Sequence, residues 1–140
     1  IDIKNVLSLL PHCTSHDIVI GSKYISSDSQ YPTHRKVIGK IFSMIKRFIT
    51  GLRIKDTQCG FKLYENKIGK KLFSQSVING WCYDVETLLL AKETKLSVKE
   101  IAVDVKDTDR VSRINVISSG LQMLWDLFIL RLNFIRGKYQ

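Results

Sequence analysis

Asp56-Thr57-Gln58-Cys59-Gly60-Phe61-Lys62, followed downstream by Trp81-Cys82-Tyr83-Asp84-Val85-Glu86, packs acids, a glycine and aromatic rings closer together than a plain core requires. Cys59-Gly60-Phe61 puts a backbone-permissive residue between a small thiol and a large ring. Gly60 is expected to allow close approach of a ligand or an unusual φ. Asp56 reads in two ways: as a group that holds a cation or orients a sugar hydroxyl, or as a turn residue bonding its own backbone. Asp84 and Glu86 fall in the first turn of an expected helix. Acids there complement the helix dipole, or, with Trp81 and Tyr83, shape a sugar or acceptor pocket. Asp84 is a candidate N-cap, although Thr87 stands where a capping box needs glutamate.

Working outward, Asp17 to Gly21 is a short β-branched run closed by glycine, and reads as a buried strand. Ser22 to Thr33 is a serine-rich loop carrying Pro32. Before the strand, Asp2 to Leu10 reads as a short helix ended by Pro11. Arg35 to Thr50 is a helix with Ile38, Ile41, Phe42, Ile45, Phe48 and Ile49 at helical spacing and Gly51 as its C-cap residue. Lys36, Lys40, Lys46 and Arg47 are assigned to its solvent side. Phe61 to Tyr64 is a short strand, and Asn66 is expected to cap the helix carrying Ile68, Leu72 and Phe73. Asp84 to Lys95 is a helix with Val85, Leu88 and Leu89 inward. Val98 to Val105 alternates like a strand. Val116 to Arg136 is a long helix stopped by Gly137. Interleaved helices and strands predict an α/β class, with a mixed sheet flanked by helices.

The chain has 140 residues, with 22 Lys and Arg against 13 Asp and Glu, a net charge of +9. One domain is the expectation at this length. The basic balance suits an anionic partner: nucleic acid, a phosphorylated ligand or an anionic membrane surface. Cys13, Cys59 and Cys82 have no zinc spacing and read as reduced thiols. His12, His16 and His34 read as isolated histidines. The start lacks signal-peptide shape, and no apolar run approaches the ~20 residues that span a bilayer. Because the first residue is Ile1 rather than methionine, the chain is expected to be a piece of something longer.

Three further segments carry cations. Gly21-Ser22-Lys23 ends a strand, where backbone amides and a lysine can meet phosphate. Arg35 opens a helix, and helix N-termini attract anions. Arg110, Ser112 and Arg113 form a basic loop after a strand. Taken alone, Gly21-Ser22-Lys23 reads first as an ordinary turn with a solvated lysine and Arg35 as a surface arginine, and the Arg110 to Arg113 stretch also reads as a solvated loop. Asp107-Thr108-Asp109 has Asp-x-Asp spacing and is assigned to a loop. The last helix carries one apolar stripe of Ile117, Leu121, Leu124, Phe128, Leu132 and Ile135, and a second of Val116, Met123, Leu127, Leu130 and Phe134. Trp125 and Ile129 interrupt its polar side. That is more apolar surface than one core contact needs. Either a membrane interface, with Arg131, Arg136 and Lys138 beside it, or burial against further protein accounts for it.

Taken in order, Gly21-Ser22-Lys23, Arg35, Asp56 to Lys62, Trp81 to Glu86, Glu100 to Val103, Ser112-Arg113-Ile114 and Met123 to Leu132 resemble the second half of a polyprenyl-phosphate glycosyltransferase of glycosyltransferase family two. The wording is nearest to the dolichyl-phosphate glucosyltransferases. The likeness spans nearly the whole chain. Val111, Arg113 and Lys23 depart from it, standing where the family often has glycine, lysine and arginine. The resemblance implies part of a GT-A (nucleotide-diphospho-sugar transferase) fold. Residues 1–140 would be its C-terminal part, with 115–137 a membrane-surface helix and the nucleotide-binding N-terminal half absent.

The same resemblance implies transfer of glucose from UDP-glucose to dolichyl phosphate with inversion, in glycan assembly such as N-glycosylation. It implies catalytic roles for Asp56, Asp84 and Glu86, and phosphate or acceptor binding by Ser22, Lys23, Arg35, Ser112 and Arg113. A divalent metal, Mg or Mn, is expected on the missing half and not in this chain. The expected partners are the nucleotide sugar, the polyprenyl phosphate lipid and a membrane surface, without nucleic acid. The expected location is membrane-associated on the cytosolic face, at the endoplasmic reticulum in a eukaryote. The isolated chain is expected to lack transferase activity. A mannosyl-transferring relative, a nucleic-acid binder using Lys36, Lys40, Lys46, Arg47, Arg53 and Lys55, and a non-catalytic membrane-surface module are the alternatives.

Overall fold

The β-branched run Ile18-Val19-Ile20 becomes the heart of β1 (Ile18–Ser22), every residue of which is buried. In the computed structural model residues 4–25, 33–103 and 116–139 are described, with side chains at 33–36, 38 and 116–118 left aside. β1 pairs antiparallel with β2 (Lys62–Tyr64) and parallel with β3 (Val98–Ala102), giving a mixed sheet of order β2-β1-β3. Ile20 lies opposite Lys62 on one side and Glu100 on the other. Register partners point to one face of a sheet, so a lysine and a glutamate flank Ile20 on its own face.

Alternation along β1 divides the core. Ile18 and Ile20 pack with Leu72, Val85, Leu88, Leu89, Leu127 and Leu130, and Val19 packs on the other face with Leu9, Cys59 and Val103. The helices supply the rest: α1 (Lys4–Leu9), α2 (Thr33–Thr50), α3 (Asn66–Gln75), α4 (Tyr83–Glu93) and α5 (Val116–Ile135). The arrangement is α/β with a small mixed sheet flanked by helices, consistent with part of a GT-A domain.

Several local expectations shift. Pro11 lies within a 3-10 turn, Leu10–His12, that continues from α1. Proline lacks an N–H, and the start of such a turn does not need one. Glu65, not Asn66, caps α3, its carboxylate accepting from the Ile68 N–H at 2.9 Å. The bonds to backbone N–H groups hold the Glu65 carboxyl below its ordinary pKa. Cys82 rather than Asp84 occupies the N-cap of α4, and Asp84 lies one residue inside the first turn. Gly51 (φ 65°) and Gly137 (φ 69°) follow α2 and α5 in left-handed backbone, as glycines past a helix end do. Residues 104 and 105 of the expected third strand lie outside the described residues.

α4 is unusual because Asp84 to Ala91 are all buried. A helix covered on all sides cannot leave its polar residues bare. Thr87 donates to the Asp84 carbonyl at 3.1 Å; Asp84 and Glu86 find partners described below. α2 and α5 lie against each other. Leu127 and Leu130 of α5 are fully buried, while Leu121 on the same helix is largely exposed. Leu127→Ala is therefore expected to cost about 2–5 kcal/mol, and Leu121→Ala less than about 0.5 kcal/mol. Urea denaturation of the two variants checks the contrast.

Candidate functional site

The end of β1 and the loop before β2 are tied together by backbone. The Gly21 N–H donates to the Phe61 carbonyl at 2.8 Å, and the Lys23 N–H donates to Asp56 Oδ2 at 3.1 Å. A side chain on Gly21 would collide with Phe61 Cβ and the Val103 methyls at 3.0 Å, so glycine here permits close approach of three segments. Ser22 is buried, and its Oγ has no hydrogen-bond partner among the described residues. Buried hydroxyls rarely stay unpaired. Gly60, by contrast, is exposed, has nothing near it and does not adopt positive φ. The special backbone role expected of it falls to Gly21.

The two quoted motifs meet through Lys62. Its ammonium donates to Asp84 Oδ1 at 2.7 Å and to the Cys59 carbonyl at 2.6 Å, in a pair only 5% and 12% exposed. Gln58 Nε2 donates to the Trp81 carbonyl at 3.0 Å. Beside this seam opens a cleft of about 800 Å³, lined by Gln58, Phe73, Asn79, Trp81, Tyr83, Asp84 and Gln122 among others. Aromatic faces with amides and a carboxylate between them suit a sugar ring, whose C–H face is apolar and whose rim is polar.

Glu86 lies deeper. It is fully buried, and its two oxygens accept from the Val77 and Ile78 N–H groups at 3.1 to 3.2 Å and from the Tyr139 hydroxyl. In this position it clamps the 76–80 segment and the residues after α5. Burial pushes the Tyr139 hydroxyl up, and the Cys82 thiol to about 12. The Cys59 thiol is raised too, so both buried cysteines stay protonated at neutral pH.

Two important residues were not assigned to this site from sequence. Lys46, expected on the surface, is 2% exposed. Its ammonium donates to the Ile54 carbonyl at 2.8 Å and to Thr57 Oγ1 at 3.4 Å. Glu100 accepts from the Lys55 N–H at 2.9 and 3.0 Å and from the Asp56 N–H at 3.0 Å. The signal for Lys46 was positional: it falls between Phe42 and Ile49 on the inward stripe. Its burial also removes it from the basic surface that the nucleic-acid alternative needs.

Of the expected site residues, Ser22, Lys23 and Asp56 come together, and Asp84 joins them through Lys62 and the 58–62 segment. Glu86 follows on the same helix. Arg35 falls in the first turn of α2, its side chain outside the described residues, as are Ser112, Arg113 and the Asp107-Thr108-Asp109 stretch. Among the described residues no group of three or more His, Cys, Asp or Glu side chains is placed to hold a metal ion.

Sequence comparison finds named relatives. A dolichyl-phosphate beta-glucosyltransferase of Homo sapiens is 34% identical over 140 residues, matching 98% of this chain and 43% of that protein. The enzyme of that name from Dictyostelium discoideum is 32% identical over 142 residues, 97% of this chain and 43% of its own length. One from Saccharomyces cerevisiae is 32% identical over 130 residues, 92% and 36% respectively. The chain is a relative of the dolichyl-phosphate beta-glucosyltransferases. It spans about two fifths of the length of these curated relatives. No family model and no solved structure matches it.

One carboxylate near the cleft is ill at ease. Asp126 Oδ2 is buried without a partner among the described residues, and would lie 2.8 Å from a Cβ on Gly80. Desolvation raises its pKa above the ordinary value of 3.8. An acid with a raised folded-state pKa contributes stability that is full below the unfolded value and is lost as pH rises through the folded one. Asp126→Asn is thus expected to raise the melting temperature at pH 7. The gain should stay below about 1 kcal/mol, because the residue is half-buried and solvent screens it. Melts of both proteins from pH 7 downward should show the gap closing toward and below pH 3.8.

Proposed function

We propose that the polypeptide containing this chain transfers glucose from UDP-glucose to dolichyl phosphate, inverting the anomeric carbon, in the assembly of glycans such as those of N-glycosylation. The observation that carries the reading is convergence. Lys23–Asp56 and Lys62–Asp84 bring three separate motif segments to the C-terminal end of β1, beside an aromatic and amide-lined cleft. Ligands of open α/β sheets bind at the C-terminal ends of parallel strands.

The chemistry asks little covalent work of the protein. A phosphate monoester has a second pKa near ~6, so at neutral pH it is mostly an anionic nucleophile and needs no general base. The protein has to bring two phosphate-bearing molecules together against their repulsion and align the attack. In this reading Trp81 and Tyr83 offer faces to the hexose, and Gln58, Gln122 and Asp84 meet its hydroxyls. Ser22, whose hydroxyl has no partner among the described residues, Lys23, Arg35, Ser112 and Arg113 take the phosphates. Asp56 orders the end of β1, and Glu86 holds the cleft wall. Asp84 is engaged by Lys62 and Glu86 by backbone N–H groups. Asp84 and Glu86, so engaged, do not fit a divalent-cation site. The Mg or Mn expected of the family belongs, in this proposal, to the nucleotide-binding half.

The membrane side of the reading rests on two helices. α5 exposes Leu121, Trp125, Phe128 and Ile135; α2 exposes Val37, Ile41, Met44 and Phe48, the last at 91%. Lys40, Arg47 and Arg131 are exposed on the same helices, and Arg136 is exposed just after α5. No described helix is long and apolar enough to cross a bilayer. Apolar stripes with cations beside them suit an anionic lipid surface, here the cytosolic face of the endoplasmic reticulum in a eukaryote.

Two measurements on the full-length polypeptide test this. With UDP-[14C]glucose and dolichyl phosphate in vesicles, labelled lipid is expected, and Trp81→Ala should lower kcat/KM at least about tenfold. Labelling from GDP-mannose instead, or none from either donor, overturns the proposed donor. In vesicle flotation, Phe48→Asp combined with Trp125→Asp is expected to weaken binding to anionic vesicles about tenfold or more; unchanged flotation removes α2 and α5 from the membrane contact.

A further inference from the structure

The segment 54–57 has no regular secondary structure, yet each of its four residues is gripped by a charged side chain. Lys46 reaches in from α2 and holds the Ile54 carbonyl at 2.8 Å and the Thr57 hydroxyl at 3.4 Å. Glu100 reaches in from β3 and holds the Lys55 and Asp56 N–H groups at 2.9 to 3.0 Å. The Asp56 carboxylate then receives the Lys23 N–H at 3.1 Å. The segment leads into Gln58, a wall of the cleft.

Burying an ammonium is costly, and a loop can be ordered more cheaply by apolar packing or backbone pairing. Desolvation lowers the Lys46 pKa, while the charges of Glu100 and Asp56 oppose that shift. One cation thus lies within the field of two carboxylates. Lys23 and Lys62, whose charges act on neighbouring Cys59 together with that of Asp56, complete the charged surroundings. Neutralising Lys46 would remove the cation on which the charges of both Asp56 and Glu100 act.

We propose that Lys46 and Glu100 are positioning residues: from opposite sides they lock the 54–57 segment, and so set the orientation of Asp56 against the end of β1 and of Gln58 against the cleft. Neither touches the cleft itself. This inference rests on the transferase reading above. It adds that the geometry around the cleft is set by a charged clamp, Lys46 from α2 and Glu100 from β3, neither of them among the site residues expected from sequence. Misalignment of the bound hexose by a shifted 54–58 segment weakens the transition state more than the ground state. The signature is therefore a fall in kcat with KM nearly unchanged.

The test uses the full-length polypeptide, UDP-glucose and dolichyl phosphate in vesicles, with Lys46→Met, Glu100→Gln and the double variant. Each single change is expected to lower kcat roughly tenfold to a hundredfold, with both KM values within about twofold. The double variant should lose less than the product of the single losses, because both residues grip one segment. Circular dichroism of each variant gives the folded fraction by which kcat is normalised. If Lys46→Met does not fold, Glu100→Gln, which keeps one oxygen to accept an N–H, decides alone. An unchanged kcat per folded molecule, with only the melting temperature lowered, overturns the inference and leaves the transferase reading standing. A wild-type polypeptide without transfer activity takes down both.

Discussion

The ion pair between Lys62 and Asp84, at 2.7 Å and almost without solvent, joins the edge of the sheet to the first turn of α4. Everything near the cleft is referred to it. Lys62 also holds the Cys59 carbonyl, so the loop before β2 cannot slide along its strand without breaking the pair. Deleting one member of such a pair typically costs about 3–5 kcal/mol, because the other is left charged and dry. Replacing both members of a buried pair with well-packed apolar groups of similar volume is often neutral or stabilising. The pair is therefore better understood as fixing a geometry than as supplying stability. It holds the motif ending in Lys62 and the motif containing Asp84 at one separation, with the cleft beside their seam.

The same division of labour runs through the molecule. Apolar burial builds the frame: Ile18 and Ile20 against α4 and α5, Val19 against Leu9 and Cys59. Charged side chains that are buried or half-buried bind the loops of that frame. Lys62 and Glu100 flank Ile20 on the face that meets the helices. Lys46 comes down from α2, and Glu86 anchors the segment that runs into Trp81. Each of these side chains bonds to backbone of a segment that has no helix or strand of its own. Loops whose amides lie inside a protein must find partners somewhere, and here long charged side chains supply them.

That pattern explains what could and could not be seen in the amino-acid sequence. β1 was legible because three β-branched residues in a row, closed by glycine, have few other fates. α2 and α5 were legible from their apolar spacing and from Gly51 and Gly137, where the backbone turns left-handed as a glycine permits. The ends of α3 and α4 were read less well. Glu65 and Cys82 are poorer capping types than Asn66 and Asp84, but Asp84 is drawn to Lys62, a partner distant in sequence that no local pattern reveals. Lys46 was missed for a related reason. A lysine is ordinarily solvated, and only the carbonyl of Ile54, eight residues on, and the nearby carboxylates make its burial tolerable. The three motifs were recognisable in one dimension; that Lys23 reaches Asp56 through its backbone N–H, rather than through its ammonium, is a fact of three.

The faces left over on α2 and α5 follow from the same economy. α5 needs only Leu127, Leu130 and their half-buried neighbours Met123 and Phe134 to satisfy the core. Its remaining apolar residues contribute little to holding the sheet, and Trp125 and Phe128 stack side by side, their centroids 5.9 Å apart, on a surface that is still more than half exposed. α2 repeats the arrangement: Phe42 and Ile49 pack inward, while Val37, Ile41, Met44 and Phe48, at helical spacing, face out. One such stripe is an ordinary feature of a protein surface. Two stripes, on helices that touch each other, need a common explanation. α2 is also the helix that carries Lys46 inward to the Asp56 segment. Whatever covers its outer face is therefore one helix thickness, ~10 Å, from the clamp on the candidate site, so occupancy of that face and the geometry of Asp56 are mechanically joined through a single rigid element.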